Sequence, residues 1–206
     1  MIVPLLLSLL LVQEPTGTVP PIDPSKPLSV GTLGQEIDRS LHWLHARFDP
    51  AQGSFGSLEA DAWALLAFAE SPRKYRPSEG PFLARPLANL LAAQKADGSF
   101  AAEVPALVVL RALEAAQDDG AAPAAEKLRH ALGVVPGRDE FASSEAATAR
   151  AKELLVARRS DGSWGSVLES AKTLAELDRC HAFLKAKEPK KQPHDPTSHH
   201  NATNLE

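Results

Sequence analysis

The 206-residue chain has one cysteine, Cys180, and so has no intrachain disulfide framework. Aromatic residues are sparse at 5%: three Trp, one Tyr and seven Phe. A site that stabilises carbocations on aromatic π faces therefore has little to draw on. β-Branched residues are also scarce, and much of the 44% hydrophobic content is Ala and Leu. Both are strong helix formers, so the composition favours closely packed helices over strands. No basic excess exists: 22 Lys and Arg against 26 Asp and Glu give a net charge of -4. That excludes a nucleic-acid footprint. The basic stretch from Lys185 to Lys191 reads as a solvated tail. No phosphate-binding Gly loop and no Ser-His-Asp arrangement can be placed.

At the N-terminus, Ile2 to Val12 is an apolar run of 11 residues. Spanning a bilayer takes about 20, whereas a signal-peptide core is of this length. Residues 1–12 are therefore expected to be a signal peptide, cut between Val12 and Thr18, and the mature chain to be periplasmic or extracellular. No cysteine follows the run, which excludes a lipoprotein anchor. An uncleaved anchor and a buried N-terminal helix are the alternatives. Residues 13–31 carry Pro15, Pro20, Pro21, Pro24 and Pro27, a density that forbids helix and predicts an extended linker. Residues 188–206 are polar with almost no apolar side chains and are expected to be a disordered tail. The folded unit is then 32–187.

Inside it a short element recurs as Gly53-Ser54-Phe55, Gly98-Ser99-Phe100 and Gly162-Ser163-Trp164. Asp97 and Asp161 precede the second and third copies. A helical segment precedes each (37–48, 83–94, 147–158) and another follows (61–70, 104–116, 167–184), with a further helix at 124–135. Apolar spacing of three and four, as in Leu107, Leu110 and Leu113, marks amphipathic helices. The expected fold is all-α: antiparallel helix pairs, about seven helices in all. Glycine is expected to supply a positive φ that ends the first helix. Serine is expected to cap the second. Phe100 and Trp164 are expected to be buried over the corner.

The segment 87–100, LANLLAAQKADGSF, resembles the glutamine-tryptophan repeat of squalene-hopene cyclases. The stretch 64–100 is similar to secreted prenyltransferase-like or squalene-cyclase-like proteins. The resemblance covers roughly 35–180 and implies a partial α/α toroid in which a helix ends in Gln, the Gln stacks on the turn aromatic, and the next helix lines a ring. Its repeat-turn residues here are Gly53, Phe55, Gln94, Asp97, Gly98, Phe100, Asp161, Gly162 and Trp164. Only Gln94 keeps the glutamine. Phe48 and Arg158 stand in its place in the other copies, and the glycines are spaced 45 and 64 residues apart. A full toroid of this class uses about six helix pairs; three to four are present here.

The acidic Asp-x-Asp-Asp motif of the cyclases is missing. The nearest acids are Glu59 and Asp61 at the start of the helix after the first turn. They are weak candidates for an acid catalyst, because carboxylates at a helix N-terminus are also ordinary capping residues. Prenyltransferases hold zinc with Asp, Cys and His, types found at Asp178, Cys180 and His181. Adjacent helical positions diverge by about 100°, so these read as a core cysteine with surface neighbours. His42 and His45 share a helix face on an exposed edge. His194, His199 and His200 fall in the tail. The complement-like Cys-Gly-Glu-Gln motif is missing too. No cofactor or metal is expected. The sequence favours an exported, non-catalytic repeat module that binds a protein or an apolar, isoprenoid-like ligand on its inner face. The alternative is an isoprenoid cyclase or prenyltransferase-type enzyme, with a homodimer completing the ring. No stable membrane span is expected once the signal is removed.

Overall fold

The computed structural model describes residues 18–133 and 141–189. The described residues form seven α-helices: α1 (Val30–His45), α2 (Leu58–Glu70), α3 (Pro81–Ala93), α4 (Ala106–Ala116), α5 (Ala121–Leu132), α6 (Ser144–Val156) and α7 (Val167–Lys187). No strand occurs among them. The expected signal peptide and all but two residues of the expected tail lie outside the described residues.

Local chemistry sets the helix starts. Ser29, Ser57, Ser143 and Ser166 each accept a backbone N–H three residues on, and Glu169 completes a capping box with Ser166. The cap at Ser29 starts α1 at Val30, inside the span expected to be linker. The described prolines do keep residues 18–29 out of helix, but this segment is not a free linker. Val19 donates its N–H to Ser160 O at 2.7 Å, Lys152 Nζ donates to Pro24 O at 3.0 Å, and Ile22 and Leu28 pack on the core.

Helix α2 is the centre of the molecule. Its sequence, LEADAWALLAFAE, is apolar on almost every side, the pattern of a helix enclosed by others. Its alanines let neighbours approach closely, and α7 packs along one flank and α4 along the other. Phe68 closes its C-terminal end in an edge-to-face cluster with Tyr75 and Phe82, at centroid distances of 5.5 and 5.2 Å. Burying a ring of this size contributes about 1.5–3 kcal/mol.

The remaining helices lie on this α7–α2–α4 layer. α1 packs on α7 and barely on α2, its neighbour in sequence. α3 packs on α2, α5 on α4, and α6 on α7. The expected pairing of each pre-turn helix with the helix after its turn therefore holds for α6 and α7 but not for α1 and α2, which barely touch, nor for α3 and α4, which pack on α2 and α5 instead. The third unit sits beside the first, so the spatial order is third, first, second.

The turns explain that order: the third and first each grip the pre-turn helix of the next unit in space, and the second grips the additional helix α5. The first turn docks on α3: Asn89 Nδ2 donates to Gly53 O at 3.0 Å, and Arg85 lies over Gly53. The second docks on α5, where Gln94 Nε2 donates to Ala124 O at 2.9 Å while also holding Gly98 O at 3.1 Å. The third docks on α1. Arg158 Nη2 meets Glu36 Oε2 at 2.6 Å, and Nη1 reaches Glu36 O and Ser40 Oγ, both at 3.3 Å. Arg158 thus does with a buried charge what Gln94 does with a neutral amide. Phe48, at the same place in the first copy, instead meets Phe55 ring to ring at 5.5 Å.

The turn glycines have positive φ as expected: 68° at Gly53, 88° at Gly98 and 92° at Gly162. They do not end the helices, which stop several residues earlier at Ala46, Gln94 and Ala157. The turn serines do not cap the following helices either. Ser99 and Ser163 bond back to Asp97 and Asp161, whose carboxylates each accept both the serine N–H and its hydroxyl. Phe55 and Phe100 are buried. Trp164 is only half-buried, and its Nε1 donates to Leu154 O at 2.6 Å.

Candidate functional site

Asp61 is almost wholly buried, and it is fully engaged in holding the first turn. Its Oδ1 accepts from Phe55 N at 2.7 Å and Ser54 Oγ at 3.0 Å, and its Oδ2 from Asn89 Nδ2 at 3.1 Å. A carboxylate with three donors is a structural acceptor. The third turn repeats the arrangement: Trp164 N donates to Ser170 Oγ at 3.0 Å, again six residues on. Asp61 and Ser170 therefore share one job, receiving the backbone N–H of the turn aromatic. The sixth residue after Phe100 is Ala106, which has no acceptor to offer. Glu59, the other acid candidate, pairs with Lys172 of α7 at 2.8 Å.

The acidic and histidine residues of α7 were expected at the surface, but Asp178 and His181 are buried along with Cys180. Neither carboxyl oxygen of Asp178 has a hydrogen-bond partner. Burial, and then the nearby charge of Glu70, hold this carboxyl well above the usual carboxylate range. Burial pushes the Cys180 thiol up to about 11, making it an inert packing residue rather than a thiolate. Burial depresses His181, with Lys185 and Lys74 adding to the effect. His42 and His45 are exposed, and the His45 ring stands edge-on to Phe82 at 4.4 Å. Among the described residues no three His, Cys, Asp or Glu side chains converge as a metal site. His194, His199 and His200 lie outside the described residues.

One stripe of α2 reaches solvent: Glu59, Trp63 and Glu70, at spacings of four and seven. Salt bridges tie it to both neighbours, Glu59 to Lys172 of α7 and Glu70 to Arg111 of α4 at 2.7 Å. Around Trp63 the three helices leave a cleft of about 200 Å³, lined by Trp63, Arg111, Lys172, Thr173, Glu176 and Arg179 with Ala175. Lys172 Nζ stands 6.0 Å from the Trp63 ring centre, within cation–π range. The indole Nε1 of Trp63 is buried and has no acceptor. Leu107, one turn before Arg111 on α4, is 52% exposed.

Comparison with protein-family models, curated proteins and solved structures finds no match. Sequence reasoning missed the cleft because its residues meet only once α7 lies beside α2. The six-residue spacing from turn aromatic to acceptor was readable in two copies and would have marked Asp61 as structural.

Proposed function

We propose that the chain is an exported helical-repeat module of the squalene-cyclase- and prenyltransferase-like class. It binds a partner through the cleft face of its α4–α2–α7 layer and performs no chemistry of its own. One observation carries this reading: the only buried acid among the cyclase-like candidates, Asp61, has its carboxylate occupied by three donors of the first turn. A proton donor for an alkene needs its acidic hydrogen free and aimed at substrate. The three turns, each clasping a neighbouring helix, support the class.

The rim of the cleft bears on the occupant. Sealing Arg111, Lys172 and Glu176 beneath a pure hydrocarbon would remove charged groups from water without new partners, which is costly. A partner bringing polar groups of its own fits better than an isoprenoid chain. Native mass spectrometry of the exported protein, compared with Trp63→Ala, tests the reading. The expected result is a bound species on the wild-type protein that is lost from the variant while the fold persists. An identical bound species on both proteins would move binding elsewhere. Conversion of squalene or a prenyl diphosphate that disappears in Asp61→Asn would replace the reading with an enzyme.

A further inference from the structure

Three features of the cleft point to the chemistry of its occupant. The first is donor surplus. The Arg111 guanidinium gives one N–H to Glu70, at 2.7 Å, out of the five it carries. Lys172 has three donors and one ion-pair partner, Glu59. The second is the state of the one carboxylate in the lining. Glu176 is held through both oxygens by Arg150 of α6, at 2.7 and 3.1 Å, which engages its acceptors and offsets its charge. The third is Trp63 itself, a half-buried flat ring in the lining. Arg111 and Lys172 are ion-paired with Glu70 and Glu59 yet keep N–H donors to spare, and these donors, a lining carboxylate already engaged and an aromatic surface together describe a receptor for an anion with a flat apolar body.

We propose that the α4–α2–α7 cleft is a carboxylate site that takes a small aromatic carboxylate, with the anionic group against Arg111 and Lys172 and the ring against Trp63. This deepens the binding reading above and rests on it. Arg111 receives a carboxylate through paired N–H groups, a geometry that its planar fork favours. The space, about 200 Å³, is below the roughly 300–1,000 Å³ of drug-sized sites and suits one ring with a short acid arm.

Nitrogen-15 NMR of the full chain reads the site directly, because three tryptophans give three indole N–H signals and Trp63→Phe identifies the relevant one. The probes are phenylacetate, benzyl alcohol and acetate. The expected result is a saturable shift of the Trp63 signal with phenylacetate, and unmoved Trp43 and Trp164 signals. Benzyl alcohol and acetate bind at least tenfold more weakly. Arg111→Gln weakens phenylacetate at least tenfold, and Lys172→Gln, on a more exposed side chain, serves if the first variant does not fold. Equal affinity for benzyl alcohol would overturn the assignment, as would a Trp63 signal that ignores all three probes. A Trp63→Ala protein that loses its co-purifying species while phenylacetate never binds would sink the carboxylate assignment alone. Phenylacetate binding with no co-purifying species would sink the module reading alone.

Discussion

Replacing Arg158 with Met tests whether a single side chain joins the third unit to the first. The guanidinium is 2% exposed and the Glu36 side chain 8%, so the pair is buried. Removing one member of a buried pair leaves the other charged and unsolvated, at a cost of about 3–5 kcal/mol. Glu36 keeps a second partner, Arg39 at 2.6 Å, which is half-exposed and offsets part of that cost. The expected loss is therefore near the lower end, about 3 kcal/mol. For a domain of this size each kcal/mol moves the melting temperature by about 2–4 °C, so Tm should fall by about 6–12 °C. Urea unfolding reads the loss as a lower midpoint at unchanged slope. The double variant Glu36→Met/Arg158→Met removes both charges and should recover most of the stability, since uncharged replacements for a buried pair are often neutral. A single-variant loss below about 1 kcal/mol, the range of exposed surface pairs, would refute the reasoning. So would strictly additive effects in the double variant.

Two further outcomes follow from the same contacts. Gly98 has φ 88°, and a Cβ added there meets the Lys127 carbonyl oxygen at 2.6 Å, whereas Gly133 has φ 61° and open space around it. Both substitutions carry the left-handed strain of about 1–2 kcal/mol, and only Gly98→Ala adds a backbone clash, so it should destabilise more than Gly133→Ala in urea unfolding; equal losses would mean that the second turn does not seat on α5. Asp178 has a folded-state pKa above its unfolded value, so the native state binds the extra proton and the group's contribution falls as pH rises above about 4. Asp178→Asn should gain stability over the parent progressively as pH rises above about 4; a difference that does not change with pH would show that the carboxyl is not held protonated.

The helices were legible because their signals are local. Apolar spacing placed α3 and α7 to within a few residues, and the prolines correctly kept the described part of the N-terminal segment out of helix. The first helix was expected at 37–48 and begins seven residues earlier, at Val30, because Ser29 supplies a cap inside the proline-rich stretch. The order of the units was not legible. It depends on what Gln94, Arg158 and the pair Arg85 and Asn89 reach across space, and two of those targets are backbone carbonyls that no sequence pattern reports. The same holds for α7. Asp178 and His181 are polar residues that ordinarily face water. They are buried because α1 and α2 both pack on this helix, which only the third-to-first junction brings about. The cleft was invisible for that reason too: Trp63, Arg111 and Lys172 lie on three helices that converge only when α2 is central.

The juxtaposition of Trp63 with Lys172 is the claim on which both the unit order and the binding face depend, and proton NMR measures it. A methylene chain leading to an ammonium 6.0 Å from the indole centre lies within the shielding reach of the ring. The Lys172 side-chain protons are expected upfield of ordinary lysine values, returning toward them in Trp63→Leu. Lysine shifts at ordinary values that do not respond to Trp63→Leu would contradict the packing of α7 on α2, and with it the cleft.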